Sequence, residues 1–127
     1  MDFNGDRPIY IQLYEEFYRL IATGEWEAGE KVGSVRQLAL DYGVNPNTVQ
    51  KALQELDRAE LTKSDRTRGR FVTEEEILIE KIRANSFLEA CDQLIQMAED
   101  LQMKPEIVLK LIEKRWKTRE EDKNESN

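Results

Sequence analysis

The chain has 127 residues, 19 Lys+Arg against 26 Asp+Glu, a formal charge of −7, one cysteine and no histidine. That length suits one ordinary domain or a small domain with an appendage, and the missing histidines exclude Ser-His-Asp and Cys-His catalysis and the usual zinc sites. Lone Cys91 makes no internal disulfide, and no run approaches the roughly 20 apolar residues of a membrane span or a signal-peptide profile, so a cytoplasmic protein with no membrane partner and no cofactor is expected.

From Pro8 the apolar positions Tyr10, Leu13, Phe17, Leu20 and Ile21 recur at 3–4 spacing, which predicts a helix from Pro8 to Thr23, stopped by Gly24. Ser34-x-x-Gln37 reads as a capping box, and Val35, Leu38, Ala39 and Tyr42 give the second helix one apolar face ending at Gly43. Asn45 is a preferred cap and Pro46 suits a first helical turn. A third helix therefore runs from Pro46 to Ala59, with Val49, Ala52, Leu53 and Leu56 inward. Ala39 lets the second and third helices approach, Gly43 redirects the chain, and Val49 plugs the angle between them. This spacing is a helix-turn-helix signal that a helical hairpin in any bundle imitates in part.

Leu61–Lys63 and Arg70–Val72 flank Ser64–Gly69 as two short strands around a glycine-containing loop. The charge changes sign here. Residues 1–30 hold two basic and seven acidic side chains, residues 31–72 eight and five, and residues 73–127 nine and fourteen. Only the middle segment is positive, and Lys63, Arg66, Arg68 and Arg70 fall within eight residues of it. Alone, such a cluster is more often a solvated loop than a binding site. Directly after a helix-turn-helix it reads as a wing, so that helix and wing grip adjacent grooves of double-stranded DNA.

On that reading the N-terminal end of the third helix offers Asn47 and Gln50 as amides suited to adenine, and Thr48 and Lys51 for phosphate. Asn45 is assigned to capping. Arg36 has the wrong sign for the first turn of its helix, a cost that a nearby phosphate relieves.

These residues resemble the GntR family of bacterial transcription regulators, and within it the short YtrA-like branch. Pro8-Ile9-Tyr10-Ile11-Gln12-Leu13 resembles that branch's opening motif, and Ser34-Val35-Arg36-Gln37-Leu38-Ala39 the family's Ser-x-Arg-x-Leu-Ala. The run from Gly43 to Ala52 resembles the recognition segment, and Gly69-x-Phe71-Val72 the end of the wing. The resemblance implies a winged helix-turn-helix that binds operator DNA as a homodimer, usually as a repressor and in response to a small-molecule effector. It implies Arg36, Asn47, Thr48 and Lys51, with Arg68 and Gly69 in the wing, as DNA contacts; Gln50, Arg66 and Arg70 join them on the residue chemistry. The chain departs from the pattern at Gly33, where the family usually has Pro and where a looser start of the second helix is expected. It departs again at Glu60, which replaces Gly ahead of the wing, and at Arg70, which replaces Thr.

Thr73-x-x-Glu76 reads as another capping box opening a long helix. Phe87, Cys91, Leu94, Ala98 and Leu101 step by 4, 3, 4 and 3 along it. A last helix after Pro105 carries Ile107, Val108, Leu111, Ile112 and Trp116. Two such helices cannot bury their stripes alone, and the simplest cover is the same pair from a second chain, with Phe87, Cys91, Leu94, Ala98, Leu101, Val108, Leu111 and Ile112 at the interface. Packing back on the winged unit is the alternative. Cys91 is expected to be a small buried hydrophobe, and Trp26 and Trp116 packing residues.

The expected architecture is thus mostly α with a small β-hairpin. Residues 1–72 form a winged helix-turn-helix, residues 73–116 a two-helix dimerisation arm, and residues 117–127 a polar, flexible tail. An enzyme is not expected, since no phosphate loop, nucleophile–base pair or metal-ligand cluster is present. The rival function is a winged-helix adaptor that binds proteins without specific DNA recognition.

Overall fold

The computed structural model describes residues 1–125. In chain order these form α1 (Ile9–Thr23), α2 (Val35–Tyr42), α3 (Pro46–Arg58), β1 (Thr62–Asp65), β2 (Gly69–Val72), α4 (Glu76–Asp100) and α5 (Pro105–Glu125). They divide into one unit ending at Ser86 and another starting at Phe87.

In the first unit α3 packs on both α1 and α2. Leu13, Phe17 and Ile21 from α1 meet Val49, Leu53 and Leu56 from α3, all at most 1% exposed. Phe17 also stacks on Trp26 and meets the ring of Tyr42 edge-on, which closes the core beneath the turn between α2 and α3. Gly43 takes φ 65 in that turn, a left-handed conformation that glycine adopts without steric cost. Gln12 explains the polar member of the opening motif. It is 5% exposed, its Nε2 donates to the carbonyls of Asn4 and Arg7 at 2.9 Å each, and its Oε1 accepts the Asn4 N–H at 3.0 Å. A buried amide with both its N–H donors and its oxygen hydrogen-bonded ties the N-terminal segment to α1.

Both caps on the helix-turn-helix form. Ser34 Oγ accepts the Gln37 N–H at 3.0 Å and Asn45 Oδ1 accepts the Asn47 N–H at 2.8 Å. The capping box at Ser34 is half-made, because the Gln37 side chain reaches forward and donates to Asp41 Oδ1 instead of accepting the Ser34 N–H. The start at Thr73 also differs: its hydroxyl accepts from Glu75 N–H and the helix opens only at Glu76.

The hairpin is antiparallel, with Thr62 opposite Val72, Lys63 opposite Phe71, Ser64 opposite Arg70 and Asp65 opposite Gly69. Its loop is three residues instead of six, because the Asp65 carboxylate accepts from the backbone of Thr67 and Arg68 and from the Thr67 hydroxyl and draws the turn closed. A further edge comes from residues 29–32. Gly29 N–H donates to Val72, Val72 N–H to Glu30, and Val32 N–H to Arg70, and Lys31 bridges Phe71.

The winged unit does not end at residue 72. Ile79 and Ile82 on α4 are 6% and 5% exposed within the core, and Arg83 donates to the Ala22 carbonyl at 2.8 Å, so the unit extends to Ser86.

In the second unit α4 ends in a turn where Gln102 has φ 57, and α5 follows from Pro105. No residue of α5 is buried among those described, and Phe87, Leu94, Leu101 and Leu111 stand 46–65% exposed. Cys91 is half-buried instead of buried, and Trp116 is 63% exposed, its indole N–H donating only to Glu120. Helix α5 runs on to Glu125 in place of the irregular tail that the polar composition predicts from residue 117; strong helix formers sustain it. Ser126 and Asn127 of that tail lie outside the described residues.

Candidate nucleic-acid interface

Burial of Val49, Ala52, Leu53 and Leu56 turns the opposite side of α3 outward, so Asn47 and Lys51 are exposed and Thr48 and Gln50 half-exposed. Among the described residues the side chains of Asn47, Thr48 and Gln50 make no hydrogen bond within the protein, which leaves their donors and acceptors for another molecule. Asn45 is spent on its cap. The Lys51 ammonium lies 5.6 Å from the centre of the Tyr10 ring, a contact that steadies the chain of a still-exposed cation. Arg36 is exposed in the first turn of α2 and has no ion pair among the described residues.

In the wing, Arg66 and Arg68 occupy the three-residue loop and are exposed, the Arg68 guanidinium lying 5.4 Å from the Phe71 ring centre. Gly69 has φ 109, a backbone conformation that calls for glycine, and the Lys31 side chain lies against it, 2.9 Å from where a Cβ would stand. The turn keeps one charge of the opposite sign: hydrogen bonds from Thr67, first its backbone and then its hydroxyl, and from the Arg68 backbone hold Asp65 below the usual carboxylate range.

Arg70 is not brought to this surface. Its Nε and Nη2 donate to Asp57 Oδ1 and Oδ2 at 3.1 and 2.9 Å, and its side chain is 16% exposed. The Thr62 and Ser64 hydroxyls converge on the same carboxylate. Burial pushes Asp57 up, but the hydrogen bonds from Arg70 and Thr62, the Arg70 charge and the Ser64 hydroxyl outweigh it and hold the carboxyl below its ordinary value. Two cations outside the expected site do share the wing face. Lys63 and Lys31 flank Phe71 from its two neighbouring strands, and both are exposed. Lys63 belongs to the basic run and was legible there; Lys31 lies on an edge that carries no strand pattern.

The model of the gntR family of bacterial regulatory proteins matches residues 9–72, which takes in the helix-turn-helix and the whole wing. The chain belongs to the GntR family. Over 108 residues it is 30% identical to the HTH-type transcriptional regulator YhcF of Bacillus subtilis, covering 84% of this chain and 88% of that one. It is 38% identical over 74 residues to the repressor YtrA of the same organism, covering 58% and 57% respectively. A GntR-family regulator from Listeria monocytogenes has the same fold at TM-score 0.78 and 32% identity, covering 88% of this chain and 98% of that structure. The AraR DNA-binding domain in complex with operator ORX1 matches at TM-score 0.53 and 28% identity, over 57% of this chain and 93% of that domain. This GntR-family protein is YtrA-like, and its winged helix is the DNA-binding fold of a transcription regulator, not an enzyme scaffold.

Proposed function

We propose that this protein is an operator-binding repressor that acts as a homodimer. The observation that carries the reading is a set of accessible side chains, Asn47, Thr48, Gln50 and Lys51 on α3 and Arg66 and Arg68 in the wing loop, that make no hydrogen bond or ion pair among the described residues, on a unit whose fold matches a domain solved with its operator. The N-terminal half of α3 enters the major groove, where Asn47 and Gln50 read base edges and Thr48 and Lys51 hold phosphate. Arg36, Arg66, Arg68 and the Gly69 backbone contact the flanking strand. Arg70 is left out of this set because Asp57 takes its donors. Repression rests on the similarity to YtrA.

Dimerisation through the second unit is supported by the exposed stripe. Phe87, Leu94, Leu101, Leu111 and Ile112 are 37–65% exposed, and Cys91, Ala98 and Val108 lie half-buried beside them. Large apolar side chains exposed in this number are costly in water unless another surface covers them.

Selection of bound duplexes from a random pool by purified protein tests the proposal. The expected result is an inverted repeat with half-sites about one helical turn apart. Asn47→Ala is then expected to relax one defined base position, and Arg68→Glu to abolish binding while assembly is unchanged. A pool that yields no motif, with Arg68→Glu indistinguishable from the parent, would transfer the function to protein binding.

A further inference from the structure

We propose that Asp57 and Arg70 are a positioning pair for DNA recognition: they set the wing on α3 so that Arg66 and Arg68 reach phosphate while α3 lies in its groove. The inference rests on the operator-binding reading above.

Strand alternation and the register place Thr62, Ser64, Arg70 and Val72 on one face of the hairpin and Lys63 and Phe71 on the other. The first face turns to α3. Three of its side chains, two from β1 and one from β2, donate to the single Asp57 carboxylate near the C-terminal end of α3. One helical acceptor therefore gathers both strands of the wing. The Arg70 arrangement is bidentate, which fixes direction as well as distance. A sheltered pair gives up part of its attraction to desolvation, so beyond a modest contribution to stability it supplies a fixed geometry.

A double-mutant cycle separates positioning from ordinary stabilisation. Binding is measured on the duplex recovered by selection, for the parent, Asp57→Asn, the Arg66→Ala/Arg68→Ala variant and the triple variant, each confirmed folded at the assay temperature by circular dichroism. Arg70→Met is the second probe, since it leaves Asp57 with the Thr62 and Ser64 hydroxyls and retains a long side chain in the strand. The expected result is that Asp57→Asn and Arg70→Met each weaken binding about tenfold in the parent and have almost no effect once the loop arginines are gone, the coupling typical of residues that act through one another. An equal loss in both backgrounds would overturn the proposal and leave the pair a structural contact. Parent-like affinity for both single variants would overturn it as well. If the loop variant itself binds as tightly as the parent, the wing is no DNA contact, and both this proposal and that part of the operator-binding reading fall; absence of any recovered duplex identifies failure of the operator-binding reading as a whole.

Discussion

Glu60 offers a sharp test of the local physics. It sits just past α3 with φ 64, its N–H donates to Asp57 O and the Leu61 N–H donates to Leu56 O, both at 3.0 Å. This is the Schellman closure, in which the left-handed residue is normally glycine. The Glu60 side chain is exposed and has no hydrogen bond or ion pair among the described residues, so nothing offsets the strain. A left-handed residue with a Cβ costs about 1–2 kcal/mol, and glycine's extra freedom in the unfolded chain returns about 0.4–1 kcal/mol of that. Glu60→Gly should therefore gain about 1 kcal/mol from conformation alone, or about 3–6 °C in Tm for a chain of this size. Glu60→Ala is the reference. It removes the same carboxylate from the negative end of the helix dipole, worth about 0.3–1 kcal/mol, but keeps the Cβ. Thermal unfolding of the full chain by circular dichroism should rank glycine clearly above alanine. Equal melting temperatures for the two variants would mean that the gain is electrostatic and the conformational argument is wrong.

Four further outcomes follow from the same geometry. Because the folded-state pKa of Asp57 is depressed, its contribution is complete above the unfolded carboxylate pKa of about 3.9 and is lost as pH falls through the lower folded value. Parent and Asp57→Asn should thus differ in urea midpoint at pH 6 and converge toward pH 2, and a constant difference would refute the linkage. Arg66→Ala with Arg68→Ala should flatten the log–log salt dependence of DNA binding by about 0.9 for each phosphate the wing no longer neutralises, or about 3.6 for a dimer, measured by titration at several salt concentrations. Gln12→Ala should cost about 1–3 kcal/mol in chemical denaturation and expose the first residues to protease, since it removes the three hydrogen bonds that hold Asn4 and Arg7. Gly33→Ala should stabilise by about 0.4–1 kcal/mol, because the new Cβ meets Leu38 at an ordinary 3.6 Å and φ lies outside the left-handed region; a lower Tm would refute it.

The helix-turn-helix was legible because its information is local. Apolar spacing, Gly43 and the Asn45 cap all act within a few residues of one another, and α1, α2 and α3 fall within a residue of their expected ends. The basic run was legible as a wing, yet four cations in eight residues look alike in sequence. What distinguishes Arg70 is a partner 13 positions earlier, on a different element. The edge at residues 29–32 has no alternation to announce it and exists only because β2 has a free side. The end of the first unit was misplaced for a different reason. The capping residues near Thr73 mark where a helix begins, whereas the unit ends where burial ends, and Ile79 and Ile82 carry that signal at i, i+3 spacing. On α5, the polar composition agrees with the exposure of residues 117–125, but exposure does not prevent a run of Lys, Arg and Glu from staying helical.

The edge formed by residues 29–32 leaves the fold no slack beside the wing. Val32 is fastened to the Arg70 carbonyl, Ser34 is already the cap of α2, and only Gly33 lies between. One residue thus sets the offset between Arg36 and the wing loop. A longer wing tip would leave that offset intact, but an insertion or deletion at position 33 would shift Arg36 against the wing loop. The spacer works as a ruler whose length, more than its chemistry, holds Arg36 and the wing loop in register.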